Sequence, residues 1–232
     1  MNLKIAVPCL IVCALFAGPA QAVNISLYNP GNQGITSIRY TVSGSIIDIY
    51  ENWGSTANGD LLVSGLAAGA NYTVRKHVTN NSDKTWTRFA CELLDPIGNL
   101  NDEQDPFPYP DWVPNGFSTS NDLDGLSFAQ GAGIDRTSQH FSQVYSDEFT
   151  YRRDFLDYYG GTVGSLGGTD LITFGLRDKN PAANQPFILS QRPNGFSVQP
   201  LEPPPSGIPE PRTLGLVGLG LAGAAGLWRR KA

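Results

Sequence analysis

The sequence predicts an all-β antiparallel β-sandwich, jelly-roll or immunoglobulin-like, flanked by an N-terminal signal helix and a C-terminal membrane helix. Three observations predict this class. Apolar residues recur in short alternating runs, clusters of Gly, Asn and Pro separate those runs, and uncharged apolar stretches lie at the two chain ends. The 232 residues include 26 Gly and 17 Pro, which favours many turns and short strands. The length suits one domain with a sizeable core.

The chain begins with the parts of a secretory signal peptide. Lys4 supplies a positive charge, an apolar run covers residues 5–18, and Ala20 and Ala22 form an Ala-x-Ala cleavage site. The apolar run is too short for a comfortable permanent membrane span. We therefore predict a signal peptide over 1–22 that signal peptidase removes after Ala22.

Residues 23–200 are predicted to form the ectodomain, because their apolar residues alternate in short runs and no long helical period competes. Residues 146–159 are ambiguous between a strand pair and a short helix. The predicted strands are 24–28, 37–42, 45–51, 61–64, 72–79, 86–94, 137–145, 170–176 and 186–191.

The clearest local unit is residues 71–94, which we predict to be an antiparallel hairpin. Tyr72, Val74 and Val78 share one face of its first strand, and His77 lies on the opposite face. A polar turn over 80–84 follows, and the return strand places Cys91 on an inward face. Glycine-rich segments at 160–164 and 167–168 lack the lysine and helix of a phosphate site, so they indicate turns.

The charge argues against a nucleic-acid-binding protein, and the cysteine content argues against a domain held together by disulfides. All 21 acidic residues lie within 23–210, whereas five of the 16 basic residues lie outside it, so this segment has a net charge of −10. Such a surface repels phosphate backbones, and we predict no nucleic-acid binding. Cys9 and Cys13 lie in the signal peptide, which leaves Cys91 without a disulfide partner.

The chain ends with a proline-rich linker, an apolar segment and basic residues. The linker is 201–208, and Pro209, Glu210 and Pro211 follow it. Residues 213–228 are uncharged and would form a helix of about 24 Å, short for a hydrocarbon core of about 30 Å. Arg229 and Arg230 should stay cytoplasmic, which places residues 23–208 outside the inner membrane.

This order of Pro-Glu-Pro, a short Gly/Leu/Ala helix and a terminal Arg cluster resembles the PEP-CTERM sorting domain of Gram-negative bacteria, here over 209–232. The resemblance implies that an exosortase recognises Pro209, Glu210 and Pro211 and processes the chain there. It also implies transient inner-membrane association, a final location at the cell surface or outside the cell, and a setting of exopolysaccharide or biofilm production.

Candidate chemical groups between the ends are sparse. His77 and His140 have no zinc-site spacing, and we interpret both as surface residues. Cys91 is interpreted as an inert core thiol. Two clusters of oxygen-bearing residues have Ca²⁺-like spacing, and each is either a weak calcium site or a solvated loop; the clusters are Asn99, Asn101, Glu103 and Asp105, then Asp122 and Asp124. No other cofactor is predicted.

Two further features keep binding and catalysis open. The stiff loop from Pro106 to Pro114 carries Tyr109 and Trp112, which either stack on sugar rings or anchor the loop to the sandwich. The acidic residues available as a glycosidase pair are Asp147, Glu148, Asp154 and Asp157.

We predict an exported, exosortase-sorted matrix or surface component without a catalytic role. A carbohydrate-binding module or adhesin that uses the aromatic loop is the leading alternative, and a secreted polysaccharide hydrolase is the third.

Overall fold

A computed structural model describes residues 22–29, 31, 33–97, 113–120, 125–147, 153–179 and 185–194. Within these ranges the chain is all-β, as predicted, and contains no helix. Its strands are β1 (Asn24–Leu27), β2 (Ile35–Ser43), β3 (Ile46–Trp53), β4 (Gly59–Ser64), β5 (Asn71–Asn80), β6 (Trp86–Pro96), β7 (Phe117–Thr119), β8 (Leu126–Ser127), β9 (Thr137–Ser138), β10 (Gln143–Asp147), β11 (Phe155–Val163), β12 (Gly168–Asp178) and β13 (Phe187–Pro193).

The strands form two sheets. The first sheet has the order β1-β4-β13-β6-β11-β10, with β7 also paired to β6, and every pairing in it is antiparallel. The second sheet has the order β2-β3-β5-β12-β8, with β9 also paired to β12. The pairs β4 with β13, β5 with β12 and β6 with β11 are nested along the chain and alternate between the sheets.

One pairing departs from the predicted antiparallel arrangement. β3 and β5 are parallel, with Tyr50 opposite His77 and Ile47 opposite Val74. Parallel neighbours need a crossover rather than a tight turn. Here β4, which belongs to the first sheet, lies between them in sequence and provides the crossover. The second sheet is therefore mixed, and the all-antiparallel prediction is wrong for it.

The inner faces of both sheets contribute to one hydrophobic core, an arrangement consistent with a β-sandwich. The core includes Leu61, Phe89, Leu93, Leu156 and Leu189 from the first sheet and Ile47, Ile49, Trp53, Val74 and Phe174 from the second. Alternate residues of β5 are buried, as the sequence pattern predicts. Burying this apolar surface is the main stabilising contribution to the fold.

The predicted hairpin over 71–94 is wrong, because its strands belong to different sheets. β5 pairs with β3 and β12, whereas β6 pairs with β13, β11 and β7. Asn80 organises the connection: its Oδ1 accepts hydrogen bonds from the backbone N and the hydroxyl of Ser82, at 3.1 and 2.6 Å, and its Nδ2 donates to the Lys84 carbonyl. These bonds stabilise a connection that crosses the sandwich rather than a two-strand turn.

The other strand predictions were mostly confirmed, with local differences. Residues 137–145 divide into β9 and β10, because Asp170 accepts hydrogen bonds from the Ser138 hydroxyl at 2.6 Å and the Gln139 backbone at 3.0 Å between them. In the ambiguous segment 146–159, the described residues 146–147 and 155–159 belong to an antiparallel strand pair, β10 and β11. The short strands β7 and β8 were not predicted.

No helix able to cross a membrane occurs in the parts of the chain that the structure describes. The predicted signal peptide, apart from its exposed last residue Ala22, and the predicted membrane helix over 213–228 lie outside those parts.

Candidate functional site

The outer face of the second sheet carries a row of three planar side chains, which we call the planar row: Arg39, Tyr50 and His77. They are opposite one another on the adjacent strands β2, β3 and β5. The Arg39 guanidinium carbon lies 3.5 Å from the centroid of the Tyr50 ring. The Tyr50 and His77 rings stack with centroids 4.3 Å apart and planes inclined by 10°. The row therefore combines a cation–π contact with ring stacking across three strands.

Asp48 holds the neighbouring position on β3 and connects this row to Arg75. Arg75 donates to both carboxylate oxygens, from Nε at 2.8 Å and from Nη2 at 2.6 Å, and His77 Nε2 lies 3.2 Å from Oδ1. The Arg75 hydrogen bonds are the main reason that the pKa of Asp48 is lowered, and His77 contributes in the same direction, while burial opposes them. Asp48 thus remains ionised and positions the side chains of Arg75 and His77.

A groove of about 430 Å³ runs along the planar row. Its other lining groups include amides and hydroxyls that donate and accept hydrogen bonds, namely Asn52, Thr79, Gln139 and Thr169. Asn52 and Thr169 are exposed, so the groove is open to solvent. The arrangement suits a polar ligand with hydroxyl groups. The sequence pattern placed His77 outward correctly but did not reveal its partners, since their alignment depends on strand pairing.

A second polar cluster lies inside the sandwich, between the two sheets. Lys76 of β5 and Glu51 of β3 form an ion pair at 3.1 Å, and both side chains are fully buried. Glu51 also accepts hydrogen bonds from Trp53 Nε1 and from Gln191 Nε2 of β13, each at 3.0 Å. Cys91 is paired with Gln191 on the neighbouring strand, and burial raises the pKa of its thiol to about 12. The prediction that Cys91 faces inward is confirmed.

Two of the four carboxylates that the sequence offers for a catalytic pair are held by other side chains. Asp157 is buried and ion-paired with Arg88, and burial raises its pKa against the opposing effect of Arg88. Asp154 is fully buried and accepts a hydrogen bond from the Ser120 hydroxyl at 2.6 Å. Asp147 lies in β10, and Glu148 is outside the described residues. These contacts account for Asp154 and Asp157 as structural residues.

The remaining candidates are partly outside the described residues. Both calcium clusters (Asn99, Asn101, Glu103, Asp105; Asp122, Asp124) and the aromatic pair Tyr109 and Trp112 fall there. Among the residues that are described, no group of three or more His, Cys, Asp or Glu side chains is arranged to hold a metal ion. His140 is exposed, in agreement with its interpretation as a surface residue.

The described residues define an all-β domain of two sheets around one core, with the surface groove on the second sheet. The far end of the chain supplies the family relation: residues 207–231 match the family model of the PEP-CTERM protein-sorting motif. This match confirms the resemblance carried by Pro209, Glu210, Pro211 and the terminal arginines, and it indicates an exported, exosortase-sorted extracellular protein. Neither the comparison with curated proteins nor the comparison with solved structures finds a match.

Proposed function

We propose that this protein is a non-catalytic component of the cell surface or extracellular matrix, produced together with exopolysaccharide or biofilm. The observation that carries the proposal is the sorting motif at 207–231, which follows a domain of two packed sheets. A sorting signal sets the destination, and the burial of Asp154 and Asp157 in structural contacts favours a role other than hydrolysis.

The proposed route has two membrane steps. Signal peptidase cleaves after Ala22, and the helix over 213–228 then holds the chain in the inner membrane with Arg229 and Arg230 in the cytoplasm. Because that helix is short and rich in glycine, it holds the chain only until exosortase processes it.

The route is tested by replacing Pro209, Glu210 and Pro211 together with alanine. We expect an unprocessed, membrane-held form, detected by cell fractionation and by the mass of the C-terminal peptide. The matched control replaces two of the linker prolines, Pro203 and Pro204, with alanine, which removes the same number of prolines but leaves the motif intact. Normal processing of the motif variant, or equal failure of the control, contradicts the proposal.

The finer fold class that we propose is the jelly roll rather than the immunoglobulin fold. Its support is the nested pairing of β4 with β13, β5 with β12 and β6 with β11, alternating between sheets, as when a long hairpin is rolled into a sandwich. Lectin domains are among the proteins built on this architecture.

The second candidate function is carbohydrate binding, which the groove beside the planar row favours. The side-chain amides and hydroxyls along the groove match the hydroxyl groups of a sugar. Arg39 and His77 already cover the two faces of the Tyr50 ring, so the proposed recognition uses hydrogen bonds rather than stacking on that ring. The binding surface that we propose for this candidate lies on the second sheet, in addition to the loop with Tyr109 and Trp112 that the sequence suggests.

A glycan array with the purified protein tests this candidate. The double variant Asn52→Ala/Thr169→Ala should lose binding, because it removes hydrogen-bonding groups from an exposed surface and leaves the core unchanged. Trp112→Ala is the comparison for the loop. Loss only in Trp112→Ala assigns binding to the loop, and absence of binding by the wild-type protein leaves the matrix role alone.

A further inference from the structure

The buried cluster between the sheets brings an amine, a carboxamide and a carboxylate together. Lys76 belongs to the second sheet and Gln191 to the first, and each has 0% relative exposure. Lys76 Nζ lies 3.1 Å from Glu51 Oε2, and Gln191 Nε2 donates to Glu51 Oε1 at 3.0 Å. The two nitrogen-bearing groups therefore contact opposite oxygens of one carboxylate.

Two atoms in this cluster lack good hydrogen bonds. Among the described residues, neither Lys76 Nζ nor Gln191 Oε1 has a partner in hydrogen-bond geometry. Burial of such groups is unfavourable. The surroundings are apolar: Nζ lies 4.9 Å from the centroid of the Phe89 ring, inside the core. A reaction that consumes the buried amine removes its charge from this environment, and the excluded water cannot compete as a nucleophile.

We propose that Lys76 and Gln191 form an intramolecular amide cross-link between the two sheets, with Glu51 as the proton carrier. Glu51 accepts a proton from the Lys76 ammonium group, and the freed nitrogen lone pair attacks Gln191 Cδ to form the new C–N bond. Glu51 returns the proton to the departing nitrogen, the original C–N bond breaks, and ammonia leaves. Glu51 then passes the second proton of the attacking nitrogen to this ammonia. Lysine ammonium and glutamine carboxamide become a secondary amide and an ammonium ion, with no oxidant or reductant.

The fold supplies the conditions for this reaction. Fixing both reactants against one carboxylate converts an intermolecular aminolysis into a unimolecular step, which is a large kinetic advantage. Cys91 is opposite Gln191 and is the competing nucleophile. Burial raises the pKa of its thiol to about 12, so its reactive thiolate form is scarce.

The cross-link gives the domain a stabilising device that its cysteine content denies it. After removal of the signal peptide only Cys91 remains, so no internal disulfide can form. An amide between β5 and β13 closes a long loop of the chain and restricts the unfolded state as a disulfide does, without sensitivity to reductants. Such a link suits a protein exposed to the exterior, although the inference does not depend on the proposed function.

Peptide mapping of the full-length chain, expressed and purified in folded form, tests the cross-link. We expect a branched peptide that contains both Lys76 and Gln191 and is lighter than its two parts by one ammonia molecule. Fragmentation should locate the link at these two side chains. The undigested protein should also migrate faster in a denaturing gel than an unlinked variant, because its loop remains closed.

Three variants separate the explanations. Glu51→Gln should retain linear peptides, Gln191→Ala should do the same, and Cys91→Ala should still form the branched peptide. Peptide mapping of folded wild-type protein that yields unmodified Lys76 and Gln191 overturns the proposal, whatever the variants do. A link from Gln191 to Cys91 that hydroxylamine cleaves also overturns it, in favour of a thioester.

Discussion

Trp53 is the residue whose removal should cost the core most. Its side chain is fully buried, and it makes edge-to-face contacts with Trp86 and Phe89, each with ring centroids 5.7 Å apart. Its Nε1 donates a hydrogen bond to Glu51 at 3.0 Å. Trp53→Ala therefore removes a large apolar volume and one donor to a buried carboxylate.

The expected loss combines these two effects. Replacing a buried Trp by Ala costs about 3–5 kcal/mol, because neighbouring groups fill the cavity only partly. Leaving a buried hydrogen-bonding group without its donor adds about 1–3 kcal/mol. We expect Trp53→Ala to lower the free energy of unfolding by at least about 4 kcal/mol. For a domain of this size, that corresponds to a decrease in Tm of about 8–16 °C.

Equilibrium urea unfolding, followed by circular dichroism, measures the effect on the processed protein. Trp53→Phe is the matched control: both variants lack the N–H donor to Glu51, so the difference between their losses isolates the contribution of ring packing. A decrease below about 1 kcal/mol in Trp53→Ala would refute the assignment of Trp53 to the centre of the core.

Three other perturbations test separate parts of the structure. Gly59→Ala should lower the free energy of unfolding in urea by about 1–3 kcal/mol, because a Cβ there would lie 2.3 Å from the buried Trp53 indole. Gly164→Ala is the control and should be nearly neutral, because the space around Gly164 is open. Asp48→Asn should lower the free energy of unfolding at neutral pH and flatten its decrease at acid pH. Hydrogen bonds from Arg75 depress the Asp48 pKa, so the stabilisation by Asp48 is present above the unfolded-state pKa and is lost as pH falls through the folded-state pKa. An unchanged decrease at acid pH would contradict this. Cys91 should resist alkylation in the folded protein at pH 8 and react after denaturation, since burial raises its pKa to about 12; rapid labelling of the native state would show that the thiol is accessible.

The existence of most of the longer strands could be predicted from the sequence, because alternation is a local property, whereas the short strands β7 and β8 are too brief to show it. Strand pairing could not be predicted. Residues 71–94 contain two alternating runs joined by a polar turn, which satisfies every local criterion for a hairpin. Alternation shows which face of a strand is buried, but not which strand lies beside it. The partners of β5 are β3 and β12, and their registers depend on the complete topology.

In the candidate site, too, local features could be predicted from the sequence and contacts between strands could not. The outward orientation of His77 follows from its position in the strand, whereas its contacts with Arg39 and Tyr50 depend on two further strands. Lys76 shares the inward parity of Val74 and Val78, yet a charged residue is ordinarily expected at the surface. The buried partner Glu51 makes this position tolerable, and a single sequence does not reveal that pairing.

The C-terminal sorting motif could be predicted from the sequence, because its information is contiguous. Pro209, Glu210 and Pro211, the apolar segment and the basic end occur in one stretch, and the family match covers the same residues. What the ectodomain binds depends on side chains assembled from distant parts of the chain.

Mass spectrometry of the protein recovered from the native envelope and the culture medium tests the central claim most directly. Export and sorting predict a mature N-terminus at Val23 and the loss of the apolar segment that follows Pro209, Glu210 and Pro211. Recovery of the intact polypeptide from the cytosol, with residues 1–22 and 213–232 still attached, would contradict the account.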